Sequence, residues 1–302
     1  MQTIVFPLPG NETLAQALRD NLSAELGSLK LHRFPDAESH VRLASAVDGR
    51  RAVFVCTLDR PDGKFLPLLF AAATARDLGA AEVGLVAPYL AYMRQDRRFR
   101  AGEGITSTYF AKTLDGWIDW LVTIDPHLHR RSALSEIYAV PAAALHAAPA
   151  IAAWIRDAVP NPILVGPDSE SEQWVAAVAA AAGAPFVVLE KTRHGDRDVQ
   201  ISVPHLARWR ARTPVLVDDI ISTARTMIET IGHLKTAALP PPVCIGVHAV
   251  FADTAYADLK AAGAGQIVTC NTIPHASNAI DLTDLMTSAV RDIGTEARIP
   301  SR

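Results

Sequence analysis

Cysteine is scarce, with three in 302 residues, and the wide spacing of Cys56, Cys244 and Cys270 suits buried thiols better than a disulfide framework or a zinc cage. Each sits in an apolar run, which assigns it to core filling in a reducing compartment. Long hydrophobic runs are missing too: no stretch of 18 or more uncharged apolar residues occurs, so no membrane-spanning helix is expected. The opening MQTIVFPLPG has no basic flank and reads as a first strand and a Pro-Gly turn, so the expected location is the cytoplasm. An excess of one charge is also absent. With 29 Lys and Arg against 32 Asp and Glu, the net charge of -3 gives no global pull toward nucleic acid. Any polyanion bound must be small and held locally. A Gly-x-x-x-x-Gly-Lys-Ser/Thr loop is lacking, which argues against P-loop phosphotransfer.

What is present is an apolar content of 49% with 20% charged residues, enough for two cored domains. Short β-rich runs at 53–57, 83–88, 120–124, 163–165, 186–189, 215–217, 244–250 and 266–269 alternate with helical stretches. That alternation predicts an α/β fold, each domain a mainly parallel sheet flanked by helices. Pro141, Pro149, Pro160 and Pro162 crowd around one short helix and mark a junction, giving domains 1–147 and 148–302. No low-complexity tract or short repeat occurs, and the two halves do not reveal a common architecture in their sequences. In open α/β sheets ligands bind beyond the carboxyl ends of strands. Polar clusters follow several predicted strands, at 94–98, 125–129, 168–172 and 218–226.

The segment 215–226, VLVDDIISTART, is the most informative. An apolar strand ends in the paired carboxylates Asp218 and Asp219, and small hydroxylic residues precede a helix read over 227–234. Backbone N–H groups at that helix start, with the hydroxyls of Ser222, Thr223 and Thr226, make a nest for a phosphate. Two carboxylates just upstream can accept hydrogen bonds from a vicinal diol. Phosphate and diol together describe a ribose 5-phosphate, with Ala224 and Arg225 completing the loop.

This segment resembles the 5-phosphoribosyl-binding motif shared by phosphoribosyltransferases and ribose-phosphate diphosphokinases, the phosphoribosyl pyrophosphate (PRPP) synthetases. Four further blocks are similar to those of the diphosphokinases, in the same order: RFPDAE from Arg33, PYLAYMRQDRR from Pro88, residues 105–114, and DPH from Asp125. The resemblance implies two phosphoribosyltransferase-type domains, ATP and ribose 5-phosphate as substrates, Mg²⁺ as cofactor, and a homo-oligomer, dimer or hexamer. It implies that Arg94 and Gln95 contact ATP, that Asp96 supports them, and that Phe34, Asp36 and Glu38 of a neighbouring copy line the adenine pocket. An aromatic face stacks on a base and carboxylates accept from its exocyclic amine, so the chemistry agrees. His127 matches a histidine near the metal–triphosphate, with His129 on the same side of an extended segment. Asp168 matches an oxygen ligand for Mg²⁺. Lys191 and Arg193, in a charged loop after the strand at 186–189, match the catalytic loop that closes over the transferring pyrophosphoryl group.

Two departures stand out. GPDSESEQW from Gly166 carries Glu and Ser where the family has glycines, and Ser169 with Glu172 reads as a capping box for a helix at 173–182. The alternative is direct metal ligation by Glu170 or Glu172. Arg225 stands where the family usually has glycine; it either grips the 5-phosphate or blocks the close approach glycine allows. The leading expectation is transfer of the β,γ-pyrophosphoryl group of Mg-ATP to ribose 5-phosphate. The alternatives are a catalytically weak regulatory paralogue, motivated by the altered GPDSESEQW block, and a phosphoribosyltransferase.

Overall fold

The computed structural model describes residues 1–128, 130–167, 171–194, 198–202 and 206–296, as two units. Unit 1 holds β1 (Thr3–Pro7), α1 (Glu12–Leu22), β2 (Glu25–Leu26), β3 (Leu29–Arg33), β4 (Ser39–Leu43), β5 (Arg51–Val55) and α2 (Asp62–Asp77). It continues through β6 (Glu82–Ala87), α3 (Thr106–Asp115), β7 (Trp120–Ile124) and β8 (Ala142–Leu145). Six strands form a parallel sheet in the order β2-β1-β5-β6-β7-β8, and β3 with β4 makes a separate antiparallel hairpin. Every residue of β5, β6 and β7 is buried, as expected where helices cover both faces of a parallel sheet.

Unit 2 holds α4 (Ala148–Ala158), β9 (Pro162–Gly166), α5 (Glu172–Ala182), β10 (Phe186–Val188), β11 (Glu190–His194), β12 (Asp198–Ser202) and β13 (Thr213–Ile220). It is completed by α6 (Arg225–Thr236), β14 (Val243–His248), α7 (Ala255–Ala262), β15 (Gln266–Cys270) and β16 (Asn278–Ile280). Its parallel sheet runs β10-β9-β13-β14-β15-β16, and β11 pairs antiparallel with β12. Numbered by their appearance in each unit, the sheet strands follow the same order, 2-1-3-4-5-6. Both units also carry their hairpin between the second and third sheet strands. A shared architecture that the sequences do not reveal is plain in the topology.

The last helix, α8 (Thr283–Glu296), belongs to unit 1, as do Thr272–Pro274. This differs from a second domain running unbroken from residue 148. The cause is an apolar stripe, Leu282, Met286 and Val290, that is buried as α8 packs on α1, β7 and β8. A stripe announces that a helix has a covered face and not which sheet covers it. Arg51 fixes the same helix from below, donating from Nη1 to the Val290 carbonyl at 3.2 Å. Its Nε and the Trp120 Nε1 both donate to Glu82 Oε1, each at 2.5 Å. Gly84 makes that arrangement possible, because a Cβ there would fall 1.9 Å from the Trp120 ring. This network occupies the amino ends of β5, β6 and β7, so the carboxyl ends are left for ligands.

Cys56, Cys244 and Cys270 are buried, consistent with core filling. Among the described residues, no helix is long and apolar enough to cross a membrane.

Candidate active site

In a 2-1-3-4-5-6 sheet the chain reverses its direction of travel between the first and third strands, opening a crevice beyond their carboxyl ends. In unit 2 these are β9 and β13, paired through Leu164 with Val215 and Val165 with Leu216. The GPDSESEQW block follows one and IISTART the other, so two segments far apart in sequence flank one crevice. Asp168, Ser169 and Glu170 lie outside the described residues, as does His129.

The strand β13 runs on to Ile220, so Asp218 and Asp219 are half-buried strand residues, and Asp218 is in register with Gly246. The loop floor is fixed by its neighbour: Ile221 N–H donates to the His248 carbonyl at 3.1 Å and Phe251 N–H to the Ile221 carbonyl at 2.8 Å. Ala252 N–H donates to the Ser222 carbonyl at 3.0 Å. Gly246 admits the buried Ile221 side chain, since a Cβ there would come within 2.6 Å of it. Ala224, the residue preceding α6, is left-handed with φ 56° and ψ 7°, and no side chain caps the helix. The first-turn N–H groups therefore keep the orientation and positive dipole end that suit an anion. Ser222 and Thr226 are half-buried and Thr223 is exposed.

Arg225 is the first residue of α6, and the positive φ falls on Ala224 instead. The backbone demand that glycine answers is thus one residue earlier, and Arg225 does not obstruct it. Its exposed side chain leaves a cation at a helix N-terminus, which is unfavourable until an anion arrives.

In unit 1 the segments after β6 and β7 come together. Gln95 is held on three sides: its N–H donates to the Tyr92 carbonyl at 2.9 Å, Thr106 Oγ1 donates to its Oε1, and Ser107 donates to its carbonyl from Oγ at 3.1 Å. Arg94 beside it is exposed. The Asp96 carboxylate is only 3% exposed, and Arg130 Nη1 donates to both of its oxygens at 3.1 and 3.2 Å. Asp96 thus braces the loop rather than offering its carboxylate to a nucleotide. Tyr92, left-handed at φ 62°, donates its hydroxyl to Asp62, and that bond raises its pKa to about 12. Asp62 also lines a cleft shared with Arg33 and Ala37 of the β3–β4 hairpin.

After β7, Asp125 has φ 33° and His127 φ 55°, flanking Pro126. His127 N–H donates to the Asp125 carbonyl at 2.8 Å, and Asp125 N–H donates to the Leu145 carbonyl at 2.8 Å. Two left-handed residues in three concentrate backbone strain at the end of a central strand, where function is often found. Among the described residues no group of three His, Cys, Asp or Glu is arranged to hold a metal ion.

The other predicted residues lie on the two hairpins. Phe34 is 43% exposed at the β3–β4 tip, edge-on to His32 at 4.9 Å, and Asp36 Oδ1 accepts from Glu38 N–H at 3.2 Å. Lys191 and Arg193 are not in a loop: both are in β11, in register with Ile201 and Val199 of β12. Only the backbone of these two residues is described. Similarly, α5 starts at Glu172, one residue before the predicted 173, with Ser171 and not Ser169 at its N-cap; Ser171 makes no side-chain cap hydrogen bond, and Ser169 lies outside the described residues.

Arg130, Arg131 and Tyr92 are the residues that sequence reasoning missed. The available signal was the arginine pair two residues beyond the DPH block, a costly concentration of like charge in a chain whose 94–100 segment is already basic.

Two units of one parallel order, the second with paired carboxylates above an uncapped helix start, define a phosphoribosyl-binding α/β protein. The chain belongs to the ribose-phosphate pyrophosphokinase family. Residues 3–116 match the N-terminal domain of ribose phosphate pyrophosphokinase, and residues 133–284 match the phosphoribosyl transferase domain. A ribose-phosphate pyrophosphokinase of Methanopyrus kandleri is 30% identical, over 96% of this chain and 99% of its own length. One from Halobacterium salinarum is 31% identical, over 93% of this chain and 98% of its own. The crystal structure of phosphoribosylpyrophosphate synthetase from Mycobacterium smegmatis shares the fold, with a TM-score of 0.85 at 20% identity, covering 98% of this chain and 100% of that one.

Proposed function

We propose that the protein transfers the β,γ-pyrophosphoryl group of Mg-ATP to the anomeric hydroxyl of ribose 5-phosphate, giving PRPP and AMP. The observation that carries this reading is the β13 loop, where an uncapped helix start lies directly beyond two strand carboxylates. The 5-phosphate docks on the first-turn N–H groups of α6, with Ser222, Thr223, Thr226 and Arg225 around it. Asp218 and Asp219 accept from the ribose diol and fix the orientation of the anomeric hydroxyl.

Arg94 and Gln95 hold the nucleotide from unit 1. Phe34, Asp36 and Glu38 supply the adenine pocket of a neighbouring copy, so the enzyme acts as a homo-oligomer; the exposed Phe34 ring supports this. The anomeric oxygen attacks the β-phosphorus and the bond to the α-phosphate oxygen breaks, releasing AMP. Positioned positive charge is the main catalytic need of such a transfer, which is the role assigned to Lys191 and Arg193. The donor set of the described residues, a half-buried imidazole and no acidic cluster, fits a Mg²⁺ that arrives on the phosphates and keeps several waters. His127 and Asp168 are the residues assigned to meet it, and the ion neutralises phosphate charge when bound. Cytoplasmic location is part of the same reading.

Assay of the purified chain with Mg-ATP and ribose 5-phosphate tests it: AMP and PRPP are the expected products, and ADP would sink the pyrophosphoryl claim. The weak-paralogue reading has one supporting observation, the acidic Glu172 in the first turn of α5 beside the crevice. Turnover at the rates of ordinary kinases by the chain alone excludes that reading.

A further inference from the structure

Arg131 has an acidic neighbour in Glu136, whose pKa is lowered by hydrogen bonds from Ser132 and, to a lesser degree, by this arginine, yet the arginine's own hydrogen bonds go elsewhere. Its Nη2 donates to Ser107 Oγ at 3.2 Å and approaches Thr108 Oγ1 at 3.4 Å. Both hydroxyls belong to the first turn of α3, so a guanidinium is held against the positive end of a helix dipole. Its Nη1 is buried and has no hydrogen-bond partner. A surface arginine would adopt neither arrangement, since burying an unpaired donor is costly and a long side chain is free to swing into water. The remaining bond of Nη2 goes to the Asp96 carbonyl at 3.2 Å. Ser107, which Arg131 contacts, also donates to the Gln95 carbonyl through both N–H and Oγ.

We infer that Arg131 is a positioning residue that pre-forms the Arg94–Gln95–Asp96 segment for nucleotide binding, with Arg130 anchoring the Asp96 side chain in the same act. The two arginines lie three and four residues beyond His127, so they tie the segment after β6 to the segment carrying it. None of the bonds of this clamp needs a ligand. Arg131 Nη1 is sealed from solvent, so it cannot meet a nucleotide without displacement, and the residue acts through the loop. One nitrogen, Nη2, reaches the carbonyl on one segment and the hydroxyls on the other, so the length of the side chain and the place where it sets that nitrogen are what join them.

This inference rests on the nucleotide role proposed for the loop, and it predicts a particular kinetic split. A loop that is only fractionally in its binding conformation raises the apparent dissociation constant by the reciprocal of that fraction. Saturating nucleotide then restores the conformation, so turnover is spared. Arg131→Met should raise KM for ATP, and Kd for a non-hydrolysable ATP analogue, by about 10- to 100-fold. KM for ribose 5-phosphate and kcat should stay near wild type. Arg131→Lys keeps the charge on a shorter side chain and should fall between wild type and Arg131→Met.

The experiment is calorimetric titration of the ATP analogue together with two-substrate kinetics, on wild type and both variants, with melting temperatures recorded. An unchanged ATP constant in folded Arg131→Met overturns the inference, and so does a rise in both KM values together, which signals general loosening. Loss of kcat at an unchanged ATP KM overturns it as well, because that marks direct contact with the reacting atoms. If Arg131→Met does not fold, Arg131→Lys carries the test on the same criteria. Absence of nucleotide binding by wild type overturns the proposed function and this inference with it; normal wild-type binding with an unchanged variant overturns the inference alone.

Discussion

The two units present the same crevice, between first and third strands, in opposite states. In unit 1 it is plugged by its own chain. Asn11, 2% exposed, follows β1, and its Oδ1 accepts from Thr57 N–H beyond β5 at 2.8 Å while its Nδ2 donates to the Leu8 carbonyl at 3.2 Å. Thr57 Oγ1 donates to the Thr272 carbonyl at 2.7 Å, and Lys64 Nζ donates to the Thr57 carbonyl at 3.0 Å. The helix start beyond β5 already carries an acidic residue, Asp62, where the one beyond β13 carries Arg225 and hydroxyls. A carboxylate there meets the helix dipole permanently and leaves nothing for a phosphate. One frame used twice thus presents one filled and one open crevice, and the ATP role proposed for unit 1 rests on segments at the ends of β6 and β7 instead. The hairpins diverge likewise: that of unit 2 carries Lys191 and Arg193, that of unit 1 an exposed aromatic tip.

The largest expected effect tests this division between hairpins. Lys191→Ala should lower turnover about 10²- to 10³-fold, the usual consequence of losing one positioned transition-state charge, with an unchanged melting curve. Phe34→Ala, on the other hairpin, should raise KM for ATP and spare kcat. Equal kcat losses from both variants in the AMP and PRPP assay would break the division.

Next in size is the plug itself. Asn11→Ala strands the buried Thr57 N–H and should cost about 1–3 kcal/mol of stability, read as a lower urea midpoint, with both KM values unchanged. A rise in KM for ribose 5-phosphate would show that the unit 1 crevice is not merely structural. Smaller still is the effect at Ala224. Glycine there relieves a left-handed alanine worth about 1 kcal/mol, partly offset by unfolded-chain entropy, and should leave KM for ribose 5-phosphate intact. Ala224→Val puts a β-branched residue at positive φ and should raise that KM. A variant pair with identical constants would remove the left-handed entry from the binding site.

How far all this was legible in the sequence depended on burial and on distance along the chain. The eight β-rich runs are all strands, because a buried parallel strand advertises itself as a continuous apolar stretch bounded by turns. Strands without that signature were invisible: β8 is three alanines and a leucine, and β3, LKLHR, is mostly polar. In β11 the charged sequence EKTRH reads as a loop, yet it pairs with DVQIS as a hairpin. The β13 loop could be read because its diol and phosphate ligands are contiguous. The clamp of Arg130 and Arg131 on Asp96 could not, since it spans 34 residues and depends on β6 and β7 being neighbours. The two readings of Arg225 stayed open for a related reason: a glycine-like φ has no sequence marker when alanine occupies it.

The smallest effect concerns pH and again sets one unit against the other. In unit 2, His275 packs in a triangle with the rings of Phe251 at 4.7 Å and Tyr256 at 4.8 Å, which lie 5.2 Å from each other. Its Nδ1 accepts from Ser277 N–H at 3.1 Å, which assigns the proton of the neutral ring to Nε2. Burial lowers the pKa below its ordinary value near 6.5, so the folded state binds a proton less readily than the unfolded chain. The stabilisation is therefore complete above about pH 6.5 and is lost as pH falls from there toward the depressed folded pKa. The aromatic trio of unit 1, Phe65, Phe110 and Tyr92, contains no histidine, and its centroids lie 4.6 and 5.0 Å apart. Mild acid should accordingly loosen the Phe251–His275 region before that trio, seen as faster amide exchange around residues 251–277 between pH 6.5 and 5. His275→Phe should flatten the pH dependence there while leaving unit 1 unaffected; uniform acceleration across both units in wild type would dismiss His275 as the source.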